Sequence, residues 1–236
     1  ADTPLVLVEN TTLNTAGTGT ITIGGTINGA KTLSISNTTS TTINGVIGGT
    51  TPITSISTNT NGTTYINSGA ITTTGSQAYS DAVVLGADTT LTTTNNVVSF
   101  SSTVDSDSTS PKRDLTLTLG SSTGSFSGIV GTTSLADIIL NSSATFNAAV
   151  TADNLTIAAS KTATVKGDVT IASNITLSGS STLAVNNASA VTIAGTIVDS
   201  GDSNTISVND STASAAPDEA NFTGMVKLCL MELLLE

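Results

Sequence analysis

One short pattern, repeated at a nearly fixed interval, restricts this chain more than any other feature. A bulky apolar residue is followed by three mostly small residues and then by a β-branched apolar one. Eight copies occur: Ile23 with Ile27, Ile43 with Ile47, Tyr79 with Val83, Phe100 with Val104, Phe126 with Val130, Phe146 with Val150, Val165 with Val169, and Ile193 with Ile197. Their leading residues are separated by 20, 36, 21, 26, 20, 19 and 28 positions. A unit of about twenty residues cannot bury its own apolar face, so recurrence at that period is the mark of a stacked-repeat architecture in which neighbours cover one another. The chain has six aromatic residues, and Tyr79, Phe100, Phe126 and Phe146 all take the leading place. The expectation is a single interior column built from the leading residues, with their β-branched partners beside it.

The residues between copies point to strands. Runs such as Thr20-Ile-Thr-Ile23 and Thr32-Leu-Ser-Ile-Ser36 alternate apolar with hydroxyl side chains, the period-two signal of a strand wet on one side. Thr, Val and Ile are stiff at χ1 and suit a pleated surface, while Gly24-Gly25, Asn28-Gly29, Asn44-Gly45 and Gly48-Gly49 supply bends. Such dipeptides also occur in hairpin proteins; the twenty-residue recurrence is what selects stacking. Coils about 4.8 Å apart would make a rod of ten or eleven turns, roughly 50 Å long.

A family resemblance emerges between residues 75 and 131. The run Gly75-Ser-Gln-Ala-Tyr79-Ser-Asp-Ala-Val83-Val-Leu-Gly-Ala-Asp-Thr-Thr-Leu91, followed by Val97-Val-Ser-Phe100, resembles the haemagglutinin-type repeats of secreted filamentous haemagglutinins and of related two-partner-secretion and autotransporter passenger proteins. The resemblance extends in style over residues 70 to 200. It implies an all-β, right-handed parallel β-helix of about 20-residue coils, placed outside the cell or on a bacterial surface. It also implies a partner that is a receptor or glycan of a host or neighbouring cell.

Composition narrows the functional classes. Six basic residues against seventeen acidic ones, with no His, give a formal charge of −11. Nucleic-acid phosphates would be repelled, and imidazole metal chemistry is excluded. Cys229 is the only cysteine, so no intrachain disulfide can form, and no apolar run is long enough to span a membrane. A chain beginning Ala1-Asp-Thr-Pro4 fits a removed leader or an excised fragment, and equally a cloning boundary.

Catalysis is expected to be absent, with no cofactor and no resident metal. The best carboxylate group is Asp105, Asp107 and Asp114 beside Lys112 and Arg113, the one place suited to polysaccharide cleavage. All five lie in a polar insertion that interrupts the period, which reads first as a solvated loop. Lys31, Lys161 and Lys166 stand without an acidic cluster, and stray Asp pairs such as Asp199 and Asp202 are the remaining candidates for Ca²⁺. The Thr runs at Thr20/Thr22, Thr72 to Thr74, Thr92 to Thr94 and Thr116/Thr118 would form a flat ice-binding array if stacked on one face. The plainer account is that Thr is a favoured outward residue on a wet strand.

The expected division is a β-solenoid over residues 1 to 211 and a linker with an apolar tail over 212 to 236. Met225, Val226, Leu228, Leu230, Leu233, Leu234 and Leu235 make the tail a cap over the last coil, an end-to-end association segment, or a reading-frame artefact. The functional expectation is a non-catalytic stalk or adhesive fibre segment. A self-polymerising filament and an ice-binding protein are the alternatives.

Overall fold

The computed structural model describes residues 4–15, 17–186, 190–200, 203–209 and 220–222. Among these every regular element is a strand, and every strand pairing is parallel. The chain winds into a β-solenoid of about nine turns of about 21 residues. Each complete coil lays down up to three strands, and like strands of successive coils stack into three ladders.

The first ladder has ten strands: Thr11–Asn14, Thr32–Ser36, Ser55–Thr58, Gln77–Tyr79, Val98–Phe100, Thr123–Phe126, Ser143–Phe146, Thr162–Val165, Thr182–Asn186 and Thr205–Asn209. The second starts at Ile21–Ile23 and Ser40–Ile43 and passes through Thr63–Ile66, Ala82–Leu85 and Val104–Ser106. It continues along the first halves of Val130–Leu140 and Val150–Ile157, and ends at Val169–Ile171, Val191–Ile193 and Ala220–Phe222. The third contains Ala70–Thr72, Thr89–Thr92, Leu115–Thr118, the second halves of those two long strands, Ile175–Ser178 and Ile197–Ser200.

Alternation along each strand sends every second side chain inward. Tyr79, Phe100, Phe126 and Phe146 are at most 1% exposed and lie in register in the first ladder. Their rings stack with centroids 5.2, 4.7 and 4.5 Å apart and planes within 15°. Offset stacking of this kind adds about 0.5–1.5 kcal/mol per pair beyond the area buried. Across the next corner, Val83, Val104, Val130, Val150, Val169 and Val191 form a continuous valine column in the second ladder.

The single column expected from the repeated pattern divides in two. Five copies, led by Tyr79, Phe100, Phe126, Phe146 and Val165, span the corner between the first and second ladders. The copies led by Ile23, Ile43 and Ile193 span the next corner, between the second and third. Their leading residues align with Ile66 or Ile171 and never with Tyr79, Phe100, Phe126 or Phe146.

Their partners are displaced in the same way. Ile27 and Ile47 were expected to stand beside the aromatic column as Val83 and Val104 do, and the structure corrects this. Ile27 bridges to Ile47, and Ile47 bridges to Ile71, so the two isoleucines begin a third-ladder column that runs on through Leu91, Leu117, Leu140, Ile157 and Leu177. Both bridges are isolated, outside any named strand except at Ile27 and Ile71, so Ile47 is a core residue without being part of a regular strand. Ile197 also belongs to the third ladder, paired with Ile175. The places in the aromatic column that these copies were expected to fill belong to Leu13, Ile35, Thr58, Val185 and Val208.

The physical reason is that both corners separate consecutive inward positions by four residues, so the spacing carries no mark of which corner it describes. The long steps of 36 and 28 are moves from one corner to the other. Only the step of 26 is a true insertion, the loop from Asp107 to Asp114 between adjacent strands.

Of the sixteen residues in those eight copies, fifteen are buried, Ile27 and Ile47 among them, and Ile197 is half-buried against the core. The turn count is lower than ten or eleven because coils of 19 to 26 residues consume more chain than a strict twenty. Ala220–Phe222, from the segment set apart as a linker, pairs with Val191–Ile193. The tail residues Met225, Val226, Leu228, Leu230, Leu233, Leu234 and Leu235 lie outside the described residues.

Polar groups inside the solenoid are mostly satisfied. Buried Gln77 accepts from Tyr79 Oη at 2.9 Å, and its amide nitrogen donates to the carbonyl oxygens of Ile71 and Thr92 at 3.1 and 3.0 Å. Burial pushes the Tyr79 phenol far above its ordinary pKa, so it remains a neutral donor. Thr41 differs: its hydroxyl is buried without a partner, in the column that continues through Thr64 to Val83. A buried hydroxyl lacking a hydrogen bond carries a desolvation cost of about 1–3 kcal/mol. Thr41→Val, nearly isosteric and matching the valines above it, is expected to stabilise by about 1 kcal/mol in urea unfolding. A loss of stability would show that the hydroxyl has a partner.

Candidate functional site

The corner before the third ladder gathers most of the charge chemistry. Asp88, Asp114, Asp137, Asn154 and Asn174 occupy the same place in five successive coils, each immediately before an inward-facing residue. The Oδ1 of Asp88 accepts the backbone N–H of Asp114 at 3.1 Å, and that of Asp114 accepts the N–H of Asp137 at 3.0 Å. Asp137 Oδ1 accepts the side-chain amide of Asn154 at 2.6 Å, and Asn154 Oδ1 accepts the Asn174 N–H at 3.0 Å. Asn174 Oδ1 closes the series on the Thr196 N–H at 3.1 Å. This Asx ladder stitches coil to coil where the chain turns and the regular ladder bonds are interrupted.

Sequence reasoning missed the ladder because its Asx residues were read by charge. The available signal was positional: Asx stands directly before Thr89, Leu115, Ile138, Leu155 and Ile175, the first inward residue of each third-ladder strand.

The insertion loop is tied down piece by piece. Asp105, expected in the loop, instead lies on the strand Val104–Ser106 ahead of it, and its Oδ1 accepts the Thr133 N–H at 2.9 Å. Arg113 donates to Asp107 through Nε at 2.7 Å and Nη2 at 3.2 Å, and Lys112 is ion-paired with Asp153 in a later coil. The residues considered for acid–base work therefore each serve a backbone group or a counter-charge. Among the described residues no group of three or more acidic or thiol side chains is arranged to hold a metal ion. Asp199 receives the side-chain amide of Asn204, and Asp202 lies outside the described residues.

The environment separates these carboxylates. Burial, with Asp137 and Asp88 in adjacent coils, holds the Asp114 carboxyl above the usual range. Burial likewise raises Asp81, against hydrogen bonds from the Gly62 N–H at 2.8 Å and the Thr64 hydroxyl at 3.2 Å. The Arg113 hydrogen bond holds Asp107 below the usual range. For Asp81 and Asp114 the folded state binds the proton more tightly than the unfolded chain. Their contribution to stability is full below the unfolded pKa and is lost as pH rises through the folded one. Asp107 has the opposite sign: its contribution is present above the unfolded pKa and is lost as pH falls through the depressed value.

Asp114→Asn keeps the Oδ1 acceptor, as Asn154 and Asn174 show, and removes repulsion within the stack. It is expected to raise stability at pH 7 by about 0.5–1 kcal/mol and to flatten the decline that sets in as pH rises above the ordinary carboxylate range. An unchanged or steeper pH profile in denaturant titrations would refute the assignment.

The Thr runs are only partly assembled by the register. Thr90 with Thr92 and Thr116 with Thr118 lie side by side in adjacent coils, and Thr72 continues one column. Ile139 and the following Asn141 then interrupt both columns. Thr73 and Thr93 point inward and are buried, while Thr20 and Thr22 are exposed before and on a second-ladder strand. Lys161 reaches the Gly120 carbonyl oxygen at 3.5 Å, and Lys31 and Lys166 flank first-ladder strands.

No helix among the described residues is long and apolar enough to cross a membrane. No family model, no curated protein and no solved structure matches this chain.

Proposed function

We propose that the chain is a segment of an exported or cell-surface structural protein, a non-catalytic β-solenoid that acts as a stiff stalk or adhesive fibre element. The observation that carries this reading is the continuous stacking of ten strands in one ladder over a single apolar interior. Backbone hydrogen bonds then run along the long axis, so bending the rod must strain many bonds at once. The likeness of residues 75 to 131 to haemagglutinin-type repeats supports the surface placement, and a receptor or glycan is the corresponding partner. Small-angle scattering on the chain tests the mechanical part, with an expected rod roughly 45 Å long from nine spacings of about 4.8 Å. A compact globular profile would overturn it. Binding to intact cells tests the adhesive part, and absence of retention on any cell surface would leave a stalk without adhesion.

A second reading, end-to-end polymerisation, is favoured by the amino-terminal end of the solenoid. Among the described residues Thr11–Asn14 and Ile21–Ile23 each have a ladder neighbour on one side only. Leu5, Val6 and Val8 nearby are 50%, 59% and 74% exposed. Open strand edges beside exposed apolar residues are templates for another strand. Removing residues 212 to 236 should abolish concentration-dependent light scattering if the tail of one copy covers this end in the next. Unchanged scattering would remove the idea.

A further inference from the structure

The outer face of the first ladder differs in charge from the rest of the rod. None of its ten strands carries a charged residue. Its middle column runs Ser57, Ala78, Ser99, Ser125, Thr145 and Thr164 through six consecutive coils, all half-buried between their neighbours. Thr123, Ser143 and Thr162 stand on one side of it and Ser101, Ser127 and Asn147 on the other. The single charge interrupting these columns is Lys166. Asp88, Asp105, Asp107, Asp114, Asp137, Asp153 and Asp199 lie on the other two ladders or between them, Asp81 and Asp168 lie in the corner joining the first ladder to the second, and Glu9 precedes the first strand of the first ladder.

We infer that this face is where two copies of the chain pair side by side, face to face. With a net charge of −11, two copies repel through any contact that opposes carboxylates, and the first-ladder face is the broad surface that avoids it. Hydroxyl and amide groups both donate and accept, so the face is complementary to a two-fold copy of itself. Both rods share one coil spacing, so small side chains can interdigitate along the whole length, as they do between facing sheets of like sequence. Ten strands at about 4.8 Å and three columns about 7 Å apart give on the order of 650 Å² per copy. That reaches only the lower end of the range for specific pairs, so the association is weak and depends on concentration. The inference rests on the rod reading above, but scattering reports the rod's length and molecular mass reports the pairing, so either can fail alone.

Sedimentation velocity over a wide concentration range tests it. The expected result is a monomer–dimer equilibrium that strengthens as salt rises, because the interface holds no ion pair and added salt screens the repulsion between acidic bodies. Ser99→Glu and Thr145→Glu, at the middle of the face, are expected to weaken dimerisation at least tenfold. Ser99→Ala should leave it unchanged, as should Thr170→Glu on an exposed second-ladder position. Circular dichroism identifies any variant that has simply failed to fold. A chain that stays monomeric at high concentration and high salt overturns the proposal, as does pairing that ignores both mid-face substitutions or falls equally with Thr170→Glu. Retention of the monomer on an insoluble neutral polysaccharide through Ser99 and Thr145, with no dimer at any salt, would assign the face to a glycan and overturn it too.

Discussion

Phe126→Ala is expected to lower the free energy of unfolding by about 3–5 kcal/mol, the range for emptying a fully buried aromatic site. Phe126 is fully buried, with rings on both sides: Phe100 at 4.7 Å and Phe146 at 4.5 Å. Its removal therefore forfeits two stacking contacts as well as the transfer energy of the ring. Collapse into the gap is restrained because the coils above and below are held at a spacing set by backbone hydrogen bonds, such as Ser127 N–H to Phe100 C=O and Asn147 N–H to Phe126 C=O, both 2.8 Å. Phe126→Leu, which keeps most of the volume, should cost under about 1.5 kcal/mol. Urea unfolding monitored by circular dichroism measures both, and a loss below about 1 kcal/mol for the Ala variant would place the ring outside a rigid interior.

Gly131→Ala should be nearly as damaging, at about 3 kcal/mol, although only one methyl group is added. Gly131 lies in the long strand Val130–Leu140 with φ of +84°, a conformation in which an L side chain costs about 1–2 kcal/mol. A Cβ there would stand 2.0 Å from the carbonyl oxygen of Thr151 in the next coil. Neither backbone can yield without stretching the ladder, which adds an overpacking cost of about 1–3 kcal/mol. Gly17 separates the two contributions: its φ is +79°, but a Cβ there would meet nothing within 4 Å. Gly17→Ala should therefore cost only about 1 kcal/mol, and equal losses at the two sites would show that the close approach at Gly131 has no energetic weight.

Together these variants separate what a stacked coil needs from its interior and from its corners. Interior positions accept apolar residues of different size from coil to coil, as Phe146 and Val165 in one column show. Corners are stricter, because backbones of successive coils meet there directly. The Asx ladder is the same requirement met by hydrogen bonding: Asp88, Asp114 and Asn174 each supply an acceptor for a backbone N–H one coil away.

Much of the fold was legible in the residues themselves. Alternating Thr and Ile, the twenty-residue recurrence and the four aromatic leading positions are local or periodic properties, and they sufficed for a solenoid of stacked coils with Tyr79, Phe100, Phe126 and Phe146 stacked inside. Other features depended on register, which a linear pattern does not encode. Ile43 and Phe100 share the same five-residue pattern but lie at different corners, because each corner spaces its inward residues alike. For the same reason Ile27 and Ile47 were legible as core residues while their column, the one leading to Ile71 and Leu91, was not. Asp114 read as part of an exposed acidic loop, yet winding sets it between Asp88 and Asp137 and aims its carboxylate at a backbone N–H. The uncharged face of the first ladder is likewise invisible along the chain, where charged residues occur within a few positions of its strands. Coiling at 19 to 26 residues per turn sorts those charges onto the other sides. Periodicity chose the architecture, because burial of alternate side chains is decided strand by strand. Only the three-dimensional stacking decided which residues meet, since partners one coil apart are joined by hydrogen bonds that the intervening loop lengths set and the local residue types do not.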